Sequence, residues 1–445
     1  MFMNRYAGIT TSSPNSPADR VDRRLTSTSE NMKNPSSAVG RRPILLALLA
    51  LALSPACSSN SPAGKPATPG GGGTSNTPSG TPGGSCISMT LPAKAQPVDI
   101  SHPTSVVGTG SAASCTFAEL ADAVKKGGII TFDCGAAPVT ISITATLTPP
   151  VSNAYANDPP TNTVIDGGNS ITLDGGGAVR ILSFVHPGSW QVNNDALTLQ
   201  HITLANGRAT GTVLIPACNL TPNTNCSTGY DDGQGGAINM QDGLLRVIDA
   251  TFINNQAALL GPDTGGGAIY IQGTSNSAYI VSSTFKNNKA SNAGAIGMLW
   301  AGALIFNSLF DGNSAVGQGA NNDDANQCAC VNNGQNQTGS GGNGGAIYKD
   351  GGDGLDVTLC GTVVRNNAAN EFGAGVFLTA DGSAAKLIIY DSLLTNNTSP
   401  IPYWQWCPGV STDNPHASSS ASSSPEPVNS TFCDGNGNCS SLCTS

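Results

Sequence analysis

Two pairs of adjacent carboxylates, Asp231-Asp232 and Asp323-Asp324, are the residues best placed by type and spacing to do chemistry. Paired acids serve general acid/base catalysis when their surroundings leave one protonated and the other ionised. Each pair lies in a long polar insertion, 210–234 after Leu204-Ala205-Asn206-Gly207 and 316–343 after Asn313. Insertions at equivalent corners of a repeat leave one side of it, so the two are expected to form one wall of a binding face. Tyr230 and Trp300 would offer a sugar-stacking surface nearby. The competing reading is a pair of solvated turns, since Asp is a common turn residue in Gly/Asn-rich loops.

A second cluster, Asp350, Asp353 and Asp356 with Lys349, falls in the turn expected after Gly345-Ala346-Ile347. Such acids are hard oxygen ligands, which makes calcium the one cofactor the sequence suggests, against a plain turn as the alternative. Asp434-Gly435-Asn436-Gly437-Asn438 also spaces oxygens like a calcium loop, but no closing Glu follows and cysteines bracket it. A disulfide knot is expected there. Cys328-Ala329-Cys330 lacks both the C-x-x-C spacing and a nearby His that zinc would want. The histidines, His102, His186, His201 and His416, stand outside the repeat motifs and form no pair in sequence.

Charged residues make up 11% of the chain, against roughly 25% in ordinary soluble domains, while Gly reaches 55 of 445. Residues 1–85 hold 8 of the 19 Lys+Arg and 3 of the 28 Asp+Glu, which leaves 11 − 25 = −14 for the rest. An acidic body has no basic face with which to release counterions, and this excludes nucleic acid as a partner.

Arg41 and Arg42 precede the apolar run Ile44 to Leu53, too short to span a bilayer and of signal-peptide length. The run ends at Ser54-Pro55-Ala56-Cys57. Small residues before a cysteine resemble a lipobox, which implies lipid on Cys57 and a membrane as partner. Ser54 and Pro55 depart from that pattern and keep ordinary signal-peptide cleavage as the alternative. Residues 1–31 are polar, so translation is expected to start at Met32. Residues 58–85, nearly all Ser, Pro, Gly, Thr and Asn, read as a flexible tether. Apart from Cys57 the chain has twelve cysteines, an even number suited to disulfides in an oxidising compartment. Neighbours in sequence are Cys115 and Cys134, Cys218 and Cys226, Cys328 and Cys330, and the group Cys433, Cys439 and Cys443. Their pairing stays open. Export to the outer membrane or cell surface is the expected address.

The elements that must position these residues are legible in outline. Thr116 and Glu119 form a capping box, Phe117, Leu120, Ala121 and Val124 make an apolar face, and Lys125-Lys126-Gly127 closes a short helix. The β-rich run Ile129-Ile130-Thr131-Phe132 follows it. A helix there would cap a stack of strands, which repeat folds need at their ends. Two signals then alternate. Glycine turns lead into strands at Gly235-Gly236-Ala237-Ile238, Gly266-Gly267-Ala268-Ile269, Ala293-Gly294-Ala295-Ile296, Gly344-Gly345-Ala346-Ile347 and Gly373-Ala374-Gly375-Val376. Apolar residues run into asparagines at Phe252 to Asn255, Phe285 to Asn288, Phe310 to Asn313, Val364 to Asn367 and Leu394 to Asn397.

The final asparagines recur every 25 to 33 residues once the insertion before 367 is allowed for. That is a solenoid period. Between the signals lie alternating runs such as Leu244 to Ile248 and Ala278 to Val281, and Thr163 to Gly168 and Ile171 to Gly177 read as earlier strand-turn pairs. The expected fold is all-β, a right-handed parallel β-helix over 86–400 with an N-terminal capping helix and a Cys-containing cap over 401–445. Glycine would supply positive φ at one corner and asparagine at another, with the Asn side chains bonded up and down the stack.

The G-G-A-I and F-x-x-N motifs resemble the repeats of polymorphic outer-membrane proteins. The Cys115-helix-Ile-Thr-Phe opening followed by Ile165-Asp166-Gly167-Gly168 is similar to the start of bacterial pectin-lyase-like β-helix proteins. The resemblance spans roughly 115–400 and implies the fold more than the function, because this scaffold serves lyases, hydrolases, adhesins and structural proteins alike. The polygalacturonase-type G-H-G and R-I-K are absent from the sequence. Two functions follow: a surface binding or adhesion module for polysaccharide or another surface protein, which is favoured, and a polysaccharide lyase or glycoside hydrolase as the alternative.

Overall fold

The computed structural model describes residues 82–153, 158–187, 194–212, 214–215, 229–230, 232–261, 264–273, 277–317, 329–332, 335–338, 341–351, 355–379, 385–400, 405–407, 410–412, 427–433 and 438–441. All belong to the compact unit Gly71–Ser445. Outside the described residues lie the whole signal segment with Cys57, Asp231, Asp323, Asp324, Asp353, Cys218, Cys226, Cys328 and Cys443.

The chain is predominantly β, and its long ladders are parallel. It revisits three ladders in a fixed order. The first runs through Leu244–Ile248, Ser277–Val281, Gly302–Phe306, Val357–Cys360 and Leu387–Tyr390. The second runs through Thr251–Ile253, Thr284–Lys286, Leu309–Asp311, Val363–Arg365, Leu393–Thr395 and Thr431–Cys433. The third runs through Leu182–Val185, Ile238–Gln241, Ile269–Gln272, Ile296–Leu299, Ile347–Asp350, Val376–Thr379 and Val410–Thr412. The first two join into one sheet because Asn162–Asp174 and Ala196–Ala205 run through the corner unbroken. Thr163 to Gly177 is therefore one bent strand and its turn rather than two strand-turn pairs. The second and third ladders also continue past residue 400, where the tail was expected to begin.

Alternation decides which side chains meet. Leu245 and Val247, Ile280, Ile305, Leu359, and Leu387 with Ile389 point inward from the first ladder. In the second ladder the middle residue of each strand is internal, and Phe252, Phe285 and Phe310 stack there at 4.9 and 4.8 Å, nearly parallel. Lys349 stands inward in register with Met298 and Leu378, its ammonium donating to the Gly351 carbonyl. Lys349 and Asp350 thus lie in a strand, not in the turn expected, because sheet register carries Ile347 through Asp350.

The two asparagines of each motif divide the work. The first, Asn254, Asn287, Asn366 and Asn396, takes the left-handed backbone with φ of 54 to 57°, and Gly312 replaces it once. The second, Asn255, Asn288, Asn313, Asn367 and Asn397, is buried and forms a ladder. Asn313 Nδ2 donates to Asn367 Oδ1 (2.9 Å) and to the Phe285 carbonyl (3.0 Å), while its Oδ1 accepts from the backbone N–H and Nδ2 of Asn288. Each buried amide is thereby satisfied, as burial demands.

Glycines at the third corner serve two ends. Gly235, Gly266, Gly344 and Gly373 hold φ of 61 to 69°, and Ala293 adopts the same conformation at 52°. The next residue is small for a different reason: a Cβ on Gly267 would stand 2.1 Å from the Gly294 carbonyl oxygen and 2.5 Å from the Lys289 nitrogen. Gly267→Ala is expected to cost about 3 kcal/mol through forced backbone separation. Gly168→Ala, left-handed (φ 56°) but with open space around it, should cost only about 1 kcal/mol. Urea midpoints of the two variants measure the difference, and equal shifts would rule out coil spacing as the cause.

The α-helix, Phe117–Lys126, begins as its capping box requires, with Thr116 Oγ1 accepting from the Glu119 N–H, and ends at Gly127 with φ 72°. Leu120, Ala123 and Val124 are buried in the main core, with Phe117 and Ala121 packed against it. The Cys115–Cys134 disulfide ties the residue before the helix cap to a position just past the strand Gly128–Phe132.

An extended strap, 83–98, lies on the outer side of the first ladder. Its Gly84 N–H bonds the Gly361 carbonyl, its Ile87 and Ser88 N–H groups bond Asp391 Oδ2 at 2.8 and 2.7 Å, and Cys86 is disulfide-bonded to Cys360. Ala95 packs with Ile248, Val281 and Phe306, apolar residues that face outward from three successive coils. Cys433 and Cys439 are also joined, and Cys407 is in a disulfide. Strand pairing of Ala329–Asn332 with Gln335–Thr338 places Cys330 in a hairpin.

Candidate functional site

A cavity of about 350 Å³ opens where the strap meets the outer side of the first coils. Val164, Thr198 and Arg246 occupy one column of the first ladder, in register across adjacent coils, with Tyr279 next after Arg246. They face out because their strand neighbours Leu197, Leu199, Leu245 and Val247 fill the core. Val98 and Thr104 also line it. Thr104 is held by three contacts: its Oγ1 accepts from the Ile129 N–H, its N–H donates to the Ile129 carbonyl, and its carbonyl accepts from Lys126 Nζ at 3.1 Å.

The lining has unmet hydrogen-bonding capacity. Arg246 is half-buried, and its Nε, shut off from solvent, has no partner. Burial lowers the pKa of its guanidinium from the usual arginine value, with Tyr279 opposing. Thr198 is 1% exposed and its Oγ1 is likewise without a partner. By contrast Arg180 spreads its guanidinium over the carbonyls of Asp232, Gln234 and Gly235, and Arg365 pairs with Asp311 at 2.9 Å. No family model, curated protein or solved structure matches this chain.

A polar network fixes the cavity wall. Gln200 brackets Val98, its Oε1 accepting from the Val98 N–H and its Nε2 donating to the Val98 carbonyl. The same Nε2 donates to Asp166 Oδ2 at 2.7 Å, and His201 Nδ1 lies 2.9 Å from that oxygen. His201 Nε2 faces Asp249 at 3.6 Å. Burial alone would raise the pKa of Asp166, but bonds from His201, Gln200 and the Gly168 N–H outweigh it, and the pKa is lowered. The bond to Asp166 raises that of His201 against burial, with the charges of Asp166 and Asp249 adding to it.

The sign of the pH effect follows. A histidine whose folded pKa lies above its free value of 6.5 contributes stability that is complete below that value and lost as pH rises through the folded pKa. Asp166 contributes above 3.8 and loses its contribution as pH falls through its lowered pKa. Wild type is expected to lose stability as pH rises above 6.5 and through the raised pKa of His201, and His201→Asn, which keeps the left-handed backbone (φ 52°), to show a flatter profile there. Melting curves across that range check it; parallel profiles would remove His201 from the account.

A second histidine has a structural role. His186 and Asp195 are buried, with Nε2 2.8 Å from Asp195 Oδ2 and Nδ1 2.7 Å from the Gln241 carbonyl. Ser152 Oγ donates to Asp195, not to the imidazole. The imidazole is thus not placed on that hydroxyl, and the Ser-His-Asp geometry of a nucleophilic serine is not met.

The residues expected to catalyse, to hold calcium or to stack on a sugar have these surroundings where they are described. Asp232 accepts from the Thr212 N–H and hydroxyl, each at 2.6 Å, while Arg180 holds its carbonyl; it ties the ends of the 210–234 insertion together. Asp350 accepts from the Tyr348 hydroxyl at 2.9 Å, and Asp356 from the Lys386 N–H at 2.8 Å. Neither takes part in a three-ligand group; among the described residues that geometry occurs only at Cys86, Cys360 and Asp391, whose sulfurs form the disulfide already described. Trp300 is 43% exposed and covers Gly351. Sequence reasoning passed over Arg246 and Thr198. The available signal was one arginine at an outward position of the strand Leu244–Ile248 in an acidic body.

Proposed function

We propose that this chain is an exported binding module. Its body is a right-handed parallel β-helix of pectin-lyase-like kind with polymorphic outer-membrane-type repeats, and it is held to the cell envelope by lipid on Cys57 and the 58–85 tether. Three parallel ladders revisited in fixed order, with repeated corner glycines and asparagines, support the fold reading. The observation that favours binding over turnover is the lining of the cavity at Arg246, which presents unpartnered polar groups, Arg246 Nε and Thr198 Oγ1, and no carboxylate, whereas a glycosidase needs a pair of carboxyl groups at its reacting centre.

The test is incubation of the mature chain, from Cys57 onward, with a panel of polysaccharides with and without calcium. Retention on a polysaccharide without new reducing ends or unsaturated sugars is expected. Product would overturn the binding reading in favour of a lyase or hydrolase, with Asp231→Ala and Asp323→Ala as the first variants to make. For the anchor, Cys57→Ala is expected to shift the protein from the membrane fraction to the soluble exported fraction; unchanged fractionation would overturn lipidation.

A further inference from the structure

We propose that the cavity at Arg246 binds the carboxylate group of a small organic acid, with the Arg246 guanidinium as its counter-ion and the Thr198 hydroxyl as a second donor. The inference rests on reading the chain as a binding module and names the chemistry of one site on it.

Three observations converge. First, a partly desolvated guanidinium without a hydrogen-bond partner is costly unless an anion completes it. The body from residue 86 has 25 acids against 11 bases, yet no described carboxylate pairs with Arg246. Second, the unpartnered Thr198 hydroxyl, 1% exposed, lines the same cavity one coil away in direct register. A water would not need a cation beside it. Third, the wall is prebuilt: Val98 is clamped by Gln200 and Thr104 by Lys126 and Ile129, so little ordering is left for a ligand to impose.

Charge and size select the ligand. One guanidinium neutralises one negative charge, and its planar fork matches a carboxylate. The other lining groups carry no charge, and Thr104, Asn162, Thr163 and Thr198 are the polar ones among them. A phosphate dianion would keep one charge uncompensated there. A volume of about 350 Å³ lies at the small end of ligand pockets and fits an acid the size of one sugar or amino acid.

The experiment is calorimetric titration of the mature chain with acetate, lactate and monomeric galacturonate, with inorganic phosphate, sulfate and neutral galactose as comparison arms. Saturable binding of at least one monocarboxylate is expected, with phosphate, sulfate and galactose weaker. Arg246→Gln should weaken it by at least about tenfold, and Arg246→Lys by nearly as much because the fork is lost. Thr198→Val keeps the shape of the wall and should weaken binding about tenfold, which keeps the idea testable if the Arg246 variants fail to fold. No saturable monocarboxylate binding up to about 10 mM, tighter binding of phosphate, or unchanged affinity in Thr198→Val would each overturn the proposal. Chromatography of the galacturonate after titration separates the two readings: altered sugar would overturn the non-catalytic function and leave the pocket, whereas absent binding with unaltered sugar overturns the pocket alone.

Discussion

Cys86→Ser with Cys360→Ser is expected to lower the unfolding free energy by up to about 5 kcal/mol, since the chain-entropy cost of closing a loop grows with its length. The two cysteines are 274 residues apart, so the bridge closes most of the folded chain into one loop. The strap would still make its hydrogen bonds to Gly361 and Asp391, but its departure would cost only local order. Ile248, Val281 and Phe306 are 0 to 1% exposed with the strap in place. Protease cleavage within 83–98 is therefore expected to rise in the double variant before the body unfolds. Urea unfolding under non-oxidising and oxidising conditions gives the first number, and limited proteolysis gives the second. A double variant as stable and as resistant as wild type would show that the strap contributes nothing.

The second large effect belongs to the middle of the asparagine ladder. Asn313→Ala removes the acceptor used by the Asn288 N–H and Nδ2, and the donor to Asn367 Oδ1 and the Phe285 carbonyl. Unsatisfied buried groups cost about 1–3 kcal/mol each, so a loss of about 4 kcal/mol is expected. Asn313→Asp is the sharper probe. An aspartate keeps the acceptor toward Asn288 but turns a second acceptor onto Asn367 Oδ1 and the Phe285 carbonyl. Protonation restores a donor there, so its deficit should shrink as pH falls, whereas that of Asn313→Ala should not. Denaturation midpoints at neutral and acidic pH decide the matter; a constant deficit for Asn313→Asp would refute a directional ladder.

Local signals were readable because they depend on few neighbours. The helix at Phe117–Lys126 needed only its cap, its apolar spacing and Gly127. Each coil turned where φ must be positive, at residues such as Asn254, Asn287 and Gly266, and those are types that tolerate it. The Asn ladder was foreseeable because identical residues recurred at a solenoid period. Harder to see was that the second glycine of each pair serves interstrand spacing rather than φ, since the Gly294 carbonyl that crowds Gly267 comes from the next coil.

By itself the sequence determined the all-β character, the capped helix, the corners and the acidic body, because alternation, turn chemistry and charge are properties of short stretches or of sums. Only tertiary structure decided the rest. The cavity joins Val98 at the end of the strap and Thr104 beyond it to Thr198 and Arg246 of two coils, and Cys86 finds Cys360 across 274 residues. The His201 network gathers Asp166, Gln200 and Asp249 at one bend. Such meetings depend on ladder register and on the path of a segment with no periodicity, and neither is encoded near the residues brought together. The acids that looked most like a catalytic pair illustrate the same point: Asp232 is set to tie a loop by Thr212 and Arg180, partners 20 and 52 residues away.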